Sequence, residues 1–82
     1  MHESGLVEDL IYEVEKVSRA NGGGRVTSVE VGVGELAGFS AEHFAEHFKL
    51  ASCGTLAAGA DLVITICEGD ALTLGAVDIE DA

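Results

Sequence analysis

Basic residues are the scarcest chemical class in this sequence: Lys16, Arg19, Arg25 and Lys49 stand against fifteen acidic residues, for a formal charge of −11 over 82 residues. That balance repels phosphate backbones and anionic lipid surfaces, so nucleic acid and membrane are poor partners. An acidic surface instead concentrates cations and attracts basic protein surfaces, although solubility alone accounts for many acidic proteins. No apolar run approaches the roughly 18 residues of a membrane span. The opening Met1-His2-Glu3-Ser4 lacks the basic and then apolar order of a secretory leader. Only two cysteines occur, Cys53 and Cys67, with no C-x-x-C pair. Neither a zinc ribbon nor a disulfide framework is implied, and two buried free thiols in a reducing cytoplasm are expected. Tryptophan and proline are absent and aromatics make up 5%. Aliphatic side chains must therefore fill the core, with Phe39, Phe44, Phe48 and Tyr12 as the only large rings.

What is present is enough for one small domain, 1–82, with no linker or repeat. A chain of this size removes only about 60% of its unfolded surface from water. Leu6, Leu10, Val14 and Val17, widened by Val7 and Ile11, recur at helical spacing, which predicts a one-sided helix from about Ser4, as its cap, to Asn21. Gly22-Gly23-Gly24 ends it, because glycine adopts the left-handed conformation that closes a helix. Val29, Val31 and Val33 alternate with Ser28, Glu30 and Gly32, the pattern of a strand with one buried face. Ser40 is positioned to cap a second helix through about Ser52, with Ala41, Phe44, Ala45, Phe48 and Ala51 on one side. Leu62 to Cys67 forms a β-branched strand. Glu68-Gly69-Asp70 is short enough for a hairpin turn into the last strand. There Leu72 and Leu74 share one phase and Val77 and Ile79 the other, which predicts a bulge near Gly75. The expectation is an α+β fold: two helices on one face of a three-stranded sheet, in the order helix, strand, helix, strand, strand, with the last two strands a hairpin. The hairpin's exposed edges leave homodimer formation open.

Three histidines are candidates for chemistry. His2 at the second position brings the Met1 amine, its own backbone nitrogen and its imidazole into one local chelate, a nitrogen-rich and near-planar set that suits nickel(II) or copper(II). Glu3 can add an oxygen or orient the ring. Met1 is expected to remain, because initiator removal needs a small second residue. The plain alternative is an idle histidine on a frayed terminus. His43 and His47, with Glu46, spell the H-x-x-E-H pattern of some zinc peptidases, but a peptidase needs a further ligand and a cleft. Two ordinary polar helix residues, or a weak accessory metal clip, are the other readings. Gly32 and Gly34 do not extend into a dinucleotide fingerprint, since Ala37 stands where the third glycine belongs, and no G-K-[ST] appears. With no Ser-His-Asp or Cys-His set placed together, no enzyme is implied.

Three segments carry a resemblance: Met1-His2-Glu3 at the start, the run Val29-Glu30-Val31-Gly32-Val33-Gly34-Glu35-Leu36-Ala37-Gly38, and Gly54-Thr55-Leu56-Ala57-Ala58-Gly59-Ala60-Asp61-Leu62. With these, and with Gly69-Asp70-Ala71-Leu72 through Ile79-Glu80, the chain resembles the HypA family of nickel chaperones for hydrogenase, and in some organisms urease, maturation. The resemblance implies a cytosolic protein that binds Ni(II) through Met1, His2 and Glu3. It further implies delivery to the large subunit of nickel-iron hydrogenase together with a nickel-insertion GTPase. The family normally inserts a zinc domain with two C-x-x-C motifs between the last two strands. Here only Cys67-Glu68-Gly69-Asp70 spans that gap, so no zinc is expected. A protein-interaction module that keeps the fold without handling metal is the rival reading, and a zinc peptidase the minor one.

Overall fold

A computed structural model describes residues 3–38 and 40–80 of the chain. Its elements follow the expected order: α1 (Glu3–Ala20), β1 (Val26–Gly34), α2 (Ala41–Ala51), β2 (Asp61–Cys67) and β3 (Leu72–Ile79). Helix α1 already includes Glu3, so Ser4 lies inside the helix rather than capping it. The buried stripe of α1 is Val7, Leu10, Ile11, Val14 and Ser18, with Leu6 and Val17 half-buried beside it. Its centre is rotated towards Val7 and Ile11 relative to the sequence expectation, because the helix packs against both α2 and the sheet and must present a broad face. The chain leaves α1 as anticipated: Gly22 and Gly23 take positive φ, and the Asn21 and Gly23 amides donate to the Ser18 carbonyl at 3.0 and 2.7 Å. The buried Ser18 hydroxyl finds its acceptor in the Gly24 carbonyl.

Helix α2 starts where its cap predicts, with Ser40 Oγ accepting from the His43 amide at 3.1 Å. Ser52 closes it. Phe44 and Phe48, one turn apart, are fully buried and join Val7, Leu10, Ile11 and Val14 of α1 and Val26, Val29, Val31 and Val33 of β1 in one core. Both helices therefore lie on the valine face of the sheet.

The strand order is β2-β1-β3, with β1 in the middle, parallel to β2 and antiparallel to β3. This corrects the expected hairpin, because β2 and β3 are both neighbours of β1 and not of each other. The crossover through α2 brings β2 back parallel to β1, as a strand, helix, strand unit requires. Residues 68–71 then arch over the end of β1 instead of reversing beside β2. Four residues can span the two inter-strand spacings, about 9.5 Å, that separate the outer strands. The arch is held by β1's exit, where the amides of Gly34, Glu35 and Leu36 donate to the carbonyls of Ala71, Cys67 and Gly69 at 2.9, 2.8 and 2.8 Å. A Cβ on Gly34 would collide with the Gly69 and Asp70 backbone, so glycine is required beneath the crossing.

The phase switch in β3 is real. Val29 pairs with Val77 and Val31 with Leu74, so two residues of β3, Gly75 and Ala76, stand opposite one of β1, Glu30. Leu72, Leu74, Val77 and Ile79 all end half-buried as a result. An opposite irregularity lies in β1 between Val26 and Ser28, which lets Val26 and Val29 both face the core. Among the described residues no helix is long and apolar enough to cross a membrane.

Candidate functional site

The expected nickel ligands Met1 and His2 lie outside the described residues, while Glu3 is the first residue of α1. What the structure defines is the platform they lead into. Val7 is fully buried and Leu10 and Ile11 nearly so, which anchors the first turns of α1 on β3, β1 and α2. Helix α1 runs alongside β3: Leu6, Asp9 and Leu10 line one cleft with Asp70, Ala71 and Leu72 at one end, and Val17 and Asn21 line another with Val77 and Ile79 at the other. The start of α1 therefore sits at the end of the sheet where residues 68–71 arch over β1. No sequence signal joins Asp70 or Leu72 to α1. Sixty residues separate them, and only the placement of β3 beside α1 brings them together.

His43 and His47 occupy successive turns of α2, the first exposed and the second half-buried, with Glu46 exposed between them. The peptidase reading requires a further ligand. Among the described residues no group of three or more histidine, cysteine, aspartate or glutamate side chains converges to hold an ion. The two histidines lie a turn apart, on the stripe of α2 next to the one that buries Phe44 and Phe48.

Both cysteines are free and exposed, which corrects the expectation of buried thiols. Cys53 follows the C-terminal cap of α2, and its thiol reaches the Lys49 carbonyl at 3.6 Å. Cys67 closes β2 on the sheet face away from the helices, over Gly32, because its strand alternates with Leu62, Ile64 and Ile66 on the helix side. The segment that connects α2 to β2 is a second ordered feature, and only part of it is visible in the spacing of its glycines. Gly54 and Gly59 take positive φ, and Ala57 between them is fully buried. Glu15 accepts from the Leu56 amide at 3.1 Å, the Leu56 carbonyl accepts from the Val26 amide at 2.8 Å, and Arg25 donates to the Ala58 carbonyl at 3.1 Å. These bonds tie the segment to α1 and to the start of β1. It lies at the far end of the sheet from the start of α1.

A family model described as hydrogenase/urease nickel incorporation, metallochaperone, hypA matches residues 1–72. A hydrogenase maturation factor HypA of Chlorobaculum tepidum is 41% identical over 69 residues, which cover 84% of this chain and 61% of that protein. The chain thus spans less than two thirds of that relative's length. The solution structure of the Ni metallochaperone HypA from Helicobacter pylori is similar with a TM-score of 0.73 at 23% identity, over 93% of this chain and 72% of the other. A second HypA solution structure gives a TM-score of 0.63 at 24% identity, over 100% of this chain and 71% of its own. At those identities the likeness is one of fold.

Proposed function

Since the chain belongs to the HypA family, we propose that it is a cytoplasmic nickel metallochaperone that binds Ni(II) through the Met1 amine, the His2 backbone and imidazole nitrogens, and Glu3. The observation that carries this reading is that the family match begins at residue 1 and so includes Met1-His2-Glu3. The buried anchoring of α1 by Val7, Leu10 and Ile11 supports it, since a rigid helix ties the ligand segment to the body of the domain.

Three adjacent nitrogens would hold the ion while leaving a coordination position open, so nickel would leave by ligand exchange to a thiolate or imidazole of the acceptor, with no bond-making chemistry by this chain. The acceptor of this proposal is the large subunit of nickel-iron hydrogenase, or urease, with a nickel-insertion GTPase taking part. Residues 1–82 would act as one domain, without zinc, because only Glu68 to Ala71 connects β2 and β3.

Isothermal calorimetry on the tag-free chain tests the site. Nickel should bind at about one strong site, and affinity should fall as pH is lowered because protons compete for the amine and the ring. His2→Ala, or one additional residue before Met1, should weaken binding by about 100-fold or more, at or above the upper end of the range that loss of a group merely supporting a metal ligand costs. Undiminished affinity in the extended chain would overturn the assignment.

A further inference from the structure

We propose that the cleft between the first half of α1 and the start of β3 docks a cationic polypeptide segment, which inserts aliphatic side chains flanked by lysine or arginine. The cleft has a volume of about 460 Å³. Half-buried Leu6, Leu72 and Leu74 form its floor, and exposed Asp9, Glu13 and Asp70 form its rim. A volume of this size is in the range of sites that enclose a ligand group, and an apolar floor with a few polar groups at the mouth is their usual composition.

The occupant follows from charge. No lysine or arginine lines the cleft. Lys16 lies 3.8 Å from Glu13, but both side chains are more than half exposed, so that pair exchanges readily with an incoming cation. A bare metal ion does not fit, because no three acidic, histidine or cysteine side chains converge among the described residues. A second copy of the chain does not fit either: with four basic residues and a charge of −11, it would bring like charge to the rim. What remains is a basic segment of another polypeptide, drawn in by the rim and held by burial of leucine-like side chains on the floor.

The cleft stands on its own geometry, and it deepens the nickel reading without depending on it. Its α1 wall begins at Leu6, three residues or about 4.5 Å of helix rise beyond Glu3. A partner seated there would lie next to the segment proposed to carry the ion, so docking and transfer would occur at one end of the molecule.

The test uses the nickel-free 82-residue chain and a synthetic nonapeptide of alternating lysine and leucine, compared with the same peptide carrying serine for leucine. At physiological ionic strength the lysine-leucine peptide should bind about tenfold or more tightly than its serine counterpart. Its amide shift changes should centre on Leu6, Leu10, Leu72 and Leu74. The triple variant Asp9→Asn, Glu13→Gln, Asp70→Asn should weaken binding about tenfold. An equally neutralised control, Glu30→Gln, Glu46→Gln, Asp61→Asn, should change it by less than about twofold. Equal binding of the two peptides, equal losses in the two triple variants, or shift changes away from the cleft would each overturn the proposal. The peptide comparison and the shift map need no variant, so a variant that fails to fold leaves both tests standing. Nickel titration of the same chain is a separate measurement, and its failure would remove the metal assignment while leaving the docking site intact.

Discussion

At the scale of single residues, the glycines of β1 separate into two kinds. Gly34 is buried beneath the arch, where an added Cβ would lie 2.6 Å from the Gly69 carbonyl carbon and 2.7 Å from the Asp70 nitrogen. Those neighbours are backbone, and the crossing they belong to is what connects β2 to β3. Gly32 would instead meet side-chain atoms, Thr73 Oγ1 at 2.7 Å and Cys67 Sγ at 3.0 Å, both on the open face of the sheet. Those groups can rotate away. Gly34→Ala should therefore cost about 1–3 kcal/mol, the range of overpacking, and Gly32→Ala clearly less. Paired urea melts of the two variants check the order, and equal losses would mean that the arch yields as easily as a side chain. The same alternation along the strands explains the exposed Cys67. It shares the outward phase with Val63 and Thr65, which the six preceding residues already display, but which phase faces the helices is decided by the valines of β1 in register beside it.

At the scale of elements, helix α2 is the one whose limits are legible in the sequence. A serine accepting from the third amide beyond it, and two phenylalanines a turn apart, define its start and its buried side locally. Ser40→Ala removes the side-chain acceptor that caps the first turn and should cost about 1 kcal/mol. Ser40→Asp should restore most of it, since aspartate caps as well and complements the helix dipole. Thermal melts of the pair check this, and an unaffected alanine variant would show that packing of Phe44 and Phe48 alone sets the start. Helix α1 is less legible at its beginning, because Glu3 is already helical and Ser4 offers a cap signal that the helix does not use. Strand β3 shows the converse: the change of phase between Leu74 and Val77 is written in the sequence, and the bulge at Gly75 and Ala76 is its direct consequence.

At the scale of the whole molecule, Glu15 is the contact that joins distant parts. Its carboxylate accepts from the Leu56 amide, 41 residues away, and lies 3.7 Å from Arg19, with its side chain 19% exposed. Glu15→Ala should cost about 1–3 kcal/mol, because it leaves a partly buried amide without its charged acceptor. Glu15→Gln should cost less, because it keeps an acceptor and loses only an ion pair to the exposed Arg19. Hydrogen exchange at the Leu56 amide checks the mechanism: it should accelerate strongly in the alanine variant and little in the glutamine one. The order helix, strand, helix, strand, strand, the valine face of β1, the phenylalanine face of α2 and the phase change in β3 were all determined by the sequence alone. Periodicity and capping act between residues a few positions apart. Tertiary structure alone decided that β1 lies between β2 and β3, that Cys53 and Cys67 are exposed, and that Asp70 and Leu72 meet Leu6 and Asp9 across a cleft. The strand order and the cleft depend on which edge of β1 the last strand occupies, and the short turn at Gly69 serves a hairpin and an arch equally well. The choice rests on the parallel crossover through α2 and on burial of α1 against β1 and β3, contacts between segments far apart in the chain.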